Sequence, residues 1–169
     1  MIDEPILIVN SFLDADRCRK TISDIETAKN NIGEHIECGD GYYYHFSPPT
    51  ELKELTLEQI IPIAESHLKK PIKVFDDYVR QYHRGALISE HLDSGKGYPC
   101  MEIDICGSAL LYLNEEYSGG ELYFRMLDRT IIPKTGDLLI FGPEDNLMHE
   151  TKELLSGVKW TYVLFFEVD

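Results

Sequence analysis

A chain of 169 residues, 43% of them apolar, can form one compact domain with a real core and is too short for two comfortable ones. Thirty Asp and Glu against 16 Lys and Arg leave a net charge of −14, so most of the surface repels a nucleic acid, and a basic peptide or a small molecule is the easier partner. No apolar run approaches a membrane span, and MIDEPILIVN lacks the basic region of a signal peptide, which together predict a cytoplasmic protein with no membrane partner. Cys18, Cys38, Cys100 and Cys106 form no C-x-x-C pair and read as free, mostly buried thiols. Oligomeric state is not written in these features.

Pro5 to Val9, PILIV, is a short apolar run with β-branched residues and predicts a strand broken by Asn10 and Ser11. Leu13 to about Lys29 predicts a helix. Ile22, Ile25 and Ala28 recur at helical spacing, Asp14 and Asp16 favour its dipole, and Asn30, Asn31 and Gly33 stop it. Residues 34–50, EHIECGDGYYYHFSPPT, read as a loop or irregular strands. Leu55 to about Lys69 predicts a second helix, with Thr56 as N-cap, Gln59 three residues on, and Pro62 kinking or delaying it. From Ile72 the character changes to short strand-like runs: IKVFDDYVRQY, ALISEHL, MEIDI, ALLYL, ELYFRML, TIIP, DLLIFG and VKWTYVLFFEV. Turn signals separate them at Ser94-Gly95, Gly119-Gly120, Pro133 to Gly136 and Ser156-Gly157. This predicts a mainly β domain, a barrel or sandwich with two helices packed outside. Residues 1–71 form a supporting preface, and 72–169 form the core of a single domain.

His91 and Asp93 stand two apart in YHRGALISEHLD. In an extended strand such residues share a face, so an imidazole and a carboxylate stand side by side. His149, from a distant strand, would complete two histidines and one carboxylate, a set that holds non-haem Fe(II) and leaves positions open for chemistry. H-x-D is weak alone, and His35-Ile36-Glu37 offers the same geometry. His91 and Asp93 are favoured because they follow a strand-like run and precede the glycine loop SGKG. Catalytic zinc suits the same residues, but its H-E-x-x-H signature is absent, His149-Glu150-Thr151-Lys152-Glu153 failing at the last position. His45 packs among aromatics or reaches substrate, His67 is a solvated helix residue, and His83 faces away from the metal. Lys159 shares a strand face with Thr161, Val163 and Phe165, whereas Trp160, Tyr162, Leu164 and Phe166 share the other. Both faces are largely apolar, so Lys159 is buried, and a buried ammonium needs a partner. A structural Asp or Glu would serve; so would a dicarboxylate co-substrate reaching in from the metal, with Thr161 adding a hydroxyl.

Tyr82, then His91-Leu92-Asp93, LLYLN (110–114), SGGEL (118–122), PKTGDLLIF (133–141), His149 and Lys159-Trp160 follow one another in an order that resembles the 2-oxoglutarate/Fe(II)-dependent dioxygenases, and among them the prolyl 4-hydroxylase branch. The resemblance covers about residues 72–169. It implies a double-stranded β-helix, or jelly roll, with supporting helices. It also implies that His91, Asp93 and His149 bind Fe(II) and that Lys159 pairs with the distal carboxylate of 2-oxoglutarate. Tyr82 and Tyr112 would line the co-substrate pocket, Leu110 and Leu122 would form its apolar walls, and Thr161 would add a contact. The implied cofactors are Fe(II), 2-oxoglutarate as co-substrate and O2, with ascorbate as an optional addition. The chain departs from the branch after the distal histidine, where TKELLSG replaces a Pro-Val-like segment; this bears on the substrate side rather than the metal.

Related halogenases replace the carboxylate ligand with a small residue, so Asp93 favours hydroxylation. The expected substrate is a prolyl residue in a peptide, with a free amino acid or small metabolite as the rival and a non-catalytic jelly-roll metal or sugar binder as the alternative from another class. A nucleic-acid demethylase is disfavoured by the charge and by the lack of an arginine pair near the last strand. Loops at 33–46 and 94–100 are expected to select the substrate, with Arg84 at the pocket mouth.

Overall fold

A computed structural model describes residues 4–28, 34–38, 41–93 and 105–169, with backbone alone for 34–38 and 41–42. The expected run MEIDI therefore lies largely outside the described residues, as do the 94–100 loop and the side chains of His35 and Glu37. β1 (Ile6–Val9) leads into α1 (Ala15–Thr27), whose N-cap is Asp14, its carboxylate accepting from the Arg17 N–H. The segment expected as a loop or irregular strands contributes two regular strands, β2 (Glu34–Cys38) and β3 (Gly41–Phe46), paired as a hairpin. β3 then pairs with the following long strand, which supplies the ladder that the local sequence does not advertise.

The second helical segment begins at Thr50, behind Pro48-Pro49, rather than at Leu55. It runs as α2 (Thr50–Leu55), one π-helical turn (Thr56–Ile60) and α3 (Ile61–Leu68). Thr56 is thus an interior residue and not an N-cap: its hydroxyl donates to the Leu52 carbonyl at 2.8 Å and meets the Tyr162 hydroxyl at 2.9 Å. Pro62 explains the widened turn, because it has no N–H for the α-helical ladder and its ring crowds the preceding turn.

The remaining strands are β4 (Ile72–Tyr82), β5 (Ile88–His91), β6 (Ile105–Tyr112), β7 (Tyr117–Gly119), β8 (Leu122–Phe124), β9 (Arg129–Ile131), β10 (Leu138–Phe141), β11 (His149–Thr151), β12 (Leu154–Gly157) and β13 (Lys159–Val168). A large sheet has the order β1-β10-β6-β13-β4-β3-β2, a smaller one β5-β11-β8-β9, and β12-β7 forms a ribbon; every pairing is antiparallel. This is a jelly roll with helices outside it, as the resemblance implied.

Alternation along β13 separates two cores. Trp160, Tyr162, Leu164 and Phe166 join Val79, Leu111 and Ile140 against Cys18 and Ile25 of α1, Leu52 and Leu55 of α2, and Ala64 of α3. Each fully buried large apolar side chain stabilises the fold by about 1.5–3 kcal/mol. The opposite face of the large sheet turns toward the smaller sheet, where Tyr112, Leu139 and Phe141 pack against Leu122, Phe124 and Leu147. PKTGD is a turn fixed from both sides: Asp137 accepts from the N–H groups of Ser11 and Lys134, and the Gly136 carbonyl accepts from Leu13. Gly136 has φ +84°, and a Cβ there would run into the Leu13 carbonyl. Cys106 is buried, Cys18 is a buried free thiol, and burial pushes Cys18 up to about 11. Among the described residues no helix is long and apolar enough to cross a membrane.

Candidate metal and co-substrate site

β11 lies between β5 and β8, which sets His149 directly across from His91 on one side and Phe124 on the other. β5 ends at His91 and the chain bends at Asp93, so the two do not share a strand as the alternation argument supposed. The bend still delivers the carboxylate: Asp93 Oδ1 is 3.2 Å from His91 Nε2, and Oδ2 is 3.8 Å from His149 Nε2. One donor atom from each of the three residues falls within 4.8 Å of the others. His91 Nδ1 lies 2.9 Å from the Ser89 carbonyl and His149 Nδ1 lies 2.9 Å from the Leu147 carbonyl. A carbonyl only accepts, so each Nδ1 carries a proton and each Nε2 is the nitrogen that would offer its lone pair to a metal in the centre. The His149 ring is held by Phe124 and, edge-on, by Phe141, at centroid distances of 5.3 and 5.0 Å.

Side-chain exposure is 5% for His149, 9% for Asp93 and 37% for His91, so the cluster has a buried wall and an open one. Burial opposes charge on Asp93, but the His91 hydrogen bond and the charge of His149 outweigh it and hold the carboxyl below its ordinary range. Burial depresses His149 against the pull of Asp93; in His91 burial is outweighed by the Asp93 hydrogen bond, and its pKa rises. Two neutral imidazoles and one carboxylate aimed at a common point fit a divalent transition metal.

Lys159 opens β13 across from Tyr82 of β4 and is 2% exposed. Its ammonium donates to the Gly120 carbonyl at 2.7 Å and lies 4.9, 5.2 and 5.8 Å from the ring centres of Tyr82, Tyr112 and Tyr117. No carboxylate among the described residues is within ion-pairing distance, so the structural acid entertained as its partner is not found there. Burial first, then the charge of Arg80, lower its pKa from 10.5 to about 7 against the pull of Glu121. The Thr161 hydroxyl and the Tyr117 hydroxyl are buried beside it without hydrogen-bond partners. A buried cation with unmet hydroxyls around it fits the carboxylate end of an organic acid. Leu122 and the partly buried Leu110 pack with Tyr112 as an apolar wall. Asn114 fixes the approach to Lys159, donating to the Val158 carbonyl at 2.7 Å and accepting from the Trp160 N–H at 2.8 Å. SGGEL thus contributes more than a turn: Gly119 and Gly120 adopt positive φ against β12, and Gly120 presents the carbonyl that Lys159 uses.

Sequence reasoning passed over Arg80 and Tyr117. Arg80 stands between Tyr78 and Tyr82 on one face of β4, and that face is registered against Lys159, Thr161 and Val163 of β13. Its guanidinium donates to His45 Nε2 at 2.9 Å, to the Tyr78 hydroxyl at 2.7 Å and to the Tyr82 hydroxyl at 3.2 Å, with the Tyr43 ring centre 4.6 Å away. His45 stacks between Tyr43 and Tyr78, and burial, helped by Arg80, pushes it down to about 4. The signal was present: strict alternation in Tyr78-Val79-Arg80-Gln81-Tyr82 aims the arginine at the same side as the tyrosine already singled out. His83 turns elsewhere, toward Gln81 and the edge of Tyr44, and Arg84 is exposed in the turn after β4.

The sequence model of the 2OG-Fe(II) oxygenase superfamily matches residues 78–167, from the middle of β4 to the end of β13. This chain belongs to that superfamily. A protein of Acanthamoeba polyphaga mimivirus, named as a candidate prolyl 4-hydroxylase, is 39% identical over 67 residues, which is 35% of this chain and 28% of the relative. This chain therefore spans under a third of that relative. Among solved structures, the viral collagen prolyl hydroxylase of Paramecium bursaria Chlorella virus-1, in complex with 2-oxoglutarate, superposes with a TM-score of 0.78 at 19% identity, covering 98% of this chain and 97% of that one. The Trichoplax adhaerens prolyl hydroxylase, bound to a hypoxia inducible factor peptide fragment, gives 0.74 at 16% identity over 96% and 83%. HygX of Streptomyces hygroscopicus, with nickel and 2-oxoglutarate, gives 0.73 at 13% identity over 98% and 84%. At these identities the likeness is one of fold.

Proposed function

We propose that the chain is a 2-oxoglutarate- and Fe(II)-dependent dioxygenase that hydroxylates an unactivated C–H, with a prolyl residue of a peptide as substrate. The observation that carries this is a pairing of two features: the His91, Asp93 and His149 donors converge, and the Lys159 cation is buried with no carboxylate among the described residues within ion-pairing distance. When bound, Fe(II) and 2-oxoglutarate supply the oxidising power, one atom of O2 entering succinate and one the substrate while CO2 is lost. The chain's own residues do the rest. His91, Asp93 and His149 would hold the metal, the Nδ1 hydrogen bonds of the two histidines fixing their rings. Lys159 and the Thr161 hydroxyl grip the distal carboxylate, with Tyr82, Tyr112, Leu110 and Leu122 excluding water around the carbon chain.

The prolyl substrate is supported by the mimivirus relative and by the two prolyl hydroxylases of like fold. A free amino acid is the second reading, favoured by the Arg80 guanidinium on the inward face. Anaerobic addition of Fe(II) and 2-oxoglutarate should produce a weak visible charge-transfer band, which His91→Ala removes. In air, succinate should form as O2 is consumed; a metal-binding protein without catalysis gives neither, and that result would end the proposal. Ascorbate in the same assay tests whether a reductant sustains turnover.

A further inference from the structure

Arg80 is a cation that the proposed reaction does not use. It lies on the inward face of β4, registered directly across from Thr161 on β13 and from His45 on β3. Lys159 is one step along the same face, across from Tyr82. All three hydrogen bonds of the guanidinium go to neutral acceptors, one imidazole nitrogen and two phenols. No carboxylate among the described residues is within ion-pairing distance of it. Arg80 therefore sits beside Lys159 and Thr161 on the face that would hold the co-substrate, half-buried and held in place by the rings of Tyr43, Tyr78 and Tyr82.

The charges of the assembled site show what is missing. Fe(II) with Asp93 and two neutral imidazoles carries one net positive charge, and Lys159 adds a second. The two carboxylates of 2-oxoglutarate cancel both. Arg80 remains, a single positive charge in a largely desolvated wall, where an unmatched cation is costly. The geometry points to Arg80 as the anchor for a carboxylate on the substrate itself, so that the molecule hydroxylated is an amino acid or other carboxylic acid whose acid group docks on β4. One leftover charge matches a carboxylate rather than a phosphate dianion. A planar guanidinium held by neighbouring rings is also suited to a two-point contact with a carboxylate. The stack of Tyr43, His45 and Tyr78 presets the guanidinium, which lowers the entropic cost of docking. The inference rests on the dioxygenase reading of the site and narrows its substrate to one that carries its own carboxylate, a free amino acid or the C-terminal residue of a peptide.

The test is binding and turnover of matched acids and amides. Isothermal titration calorimetry on the anaerobic protein loaded with Fe(II) and 2-oxoglutarate, and succinate release in air, are run with a panel of free amino acids. The panel includes L-proline, the corresponding carboxamides, and peptides in which the proline is internal or C-terminal. The expected result is that at least one free acid, or a C-terminal residue, binds and stimulates turnover on the order of tenfold or more better than its amide. Arg80→Gln should abolish that preference and Arg80→Lys should restore part of it. The free acid against the C-terminal peptide then tells the two sources of the carboxylate apart. Three outcomes overturn the inference: an internal prolyl peptide or an amide is preferred, no acid responds, or Arg80→Gln removes the anaerobic charge-transfer band, which would make Arg80 part of the co-substrate pocket. Absence of the band in the unsubstituted protein is a different failure, that of the dioxygenase reading.

Discussion

Replacing Lys159 by Met separates what the lysine does for binding from what it costs the fold. The fall of its pKa from 10.5 to about 7 corresponds to about 5 kcal/mol of preference for the neutral form. Below pH 7 the ammonium is charged in both folded and unfolded chains, so the whole of that cost is present. As pH rises past 7 the folded chain sheds the proton while the unfolded chain keeps it up to 10.5, and stability climbs by about 1.4 kcal/mol per pH unit. Lys159→Met removes the cost but leaves the Gly120 carbonyl without its 2.7 Å donor, an offset of about 1–3 kcal/mol. The variant should therefore be more stable than the parent at pH 6 by about 2–4 kcal/mol, and the difference should shrink by about 2–3 kcal/mol at pH 9. Urea unfolding of the metal-free protein at both pH values measures this. The same variant should bind 2-oxoglutarate on the order of a hundredfold more weakly, read from the anaerobic band. A variant that is less stable at pH 6, or that keeps its co-substrate affinity, refutes the assignment of Lys159 as a buried cation awaiting a carboxylate.

Three further expectations follow from the same geometry. Because Lys159 titrates near 7 and a bound carboxylate restores its charge, 2-oxoglutarate binding should take up about half a proton at pH 7 and close to one at pH 8; calorimetry in buffers of different ionisation enthalpy reads this directly, and no uptake would count against it. Thr56→Val removes the hydroxyl that bridges the Leu52 carbonyl and Tyr162, and should cost about 1–3 kcal/mol in urea unfolding. Gly136→Ala drives a Cβ into the Leu13 carbonyl at φ +84° and should cost about 2 kcal/mol or more, with a matching drop in the thermal midpoint.

Residues whose signal is periodic or chemical were legible in the chain. The alternation of β13 separated Lys159 and Thr161 from Trp160 and Tyr162, and the structure keeps that division. His91, Asp93 and His149 were selected by residue type and spacing, and they converge, although Asp93 arrives through a bend rather than along a strand. What escaped was set by partners distant in sequence. Thr56 looked like an N-cap because a threonine three residues before a glutamine before an apolar run has that form, yet the helix starts at Thr50 and the threonine serves Tyr162. β2 and β3 looked irregular because their order comes from pairing with each other and, through β3, with β4. Tyr117 and the Gly120 carbonyl reach Lys159 across a ribbon whose two strands lie more than thirty residues apart in the chain.

β13 is a party wall. On one side it carries the packing shared with the helices, on the other Lys159 and Thr161, the proposed grip on an organic acid, and a shift by a single residue would exchange the two sets completely. Change along this strand is therefore doubly constrained, since whatever is altered for chemistry is felt by the scaffold at once. On the neighbouring β3–β4 border the same division sets Val79 and Phe46 toward the helices and Arg80 and His45 on the other face, and it is at this second pair that one proposed substrate acid could be exchanged for another.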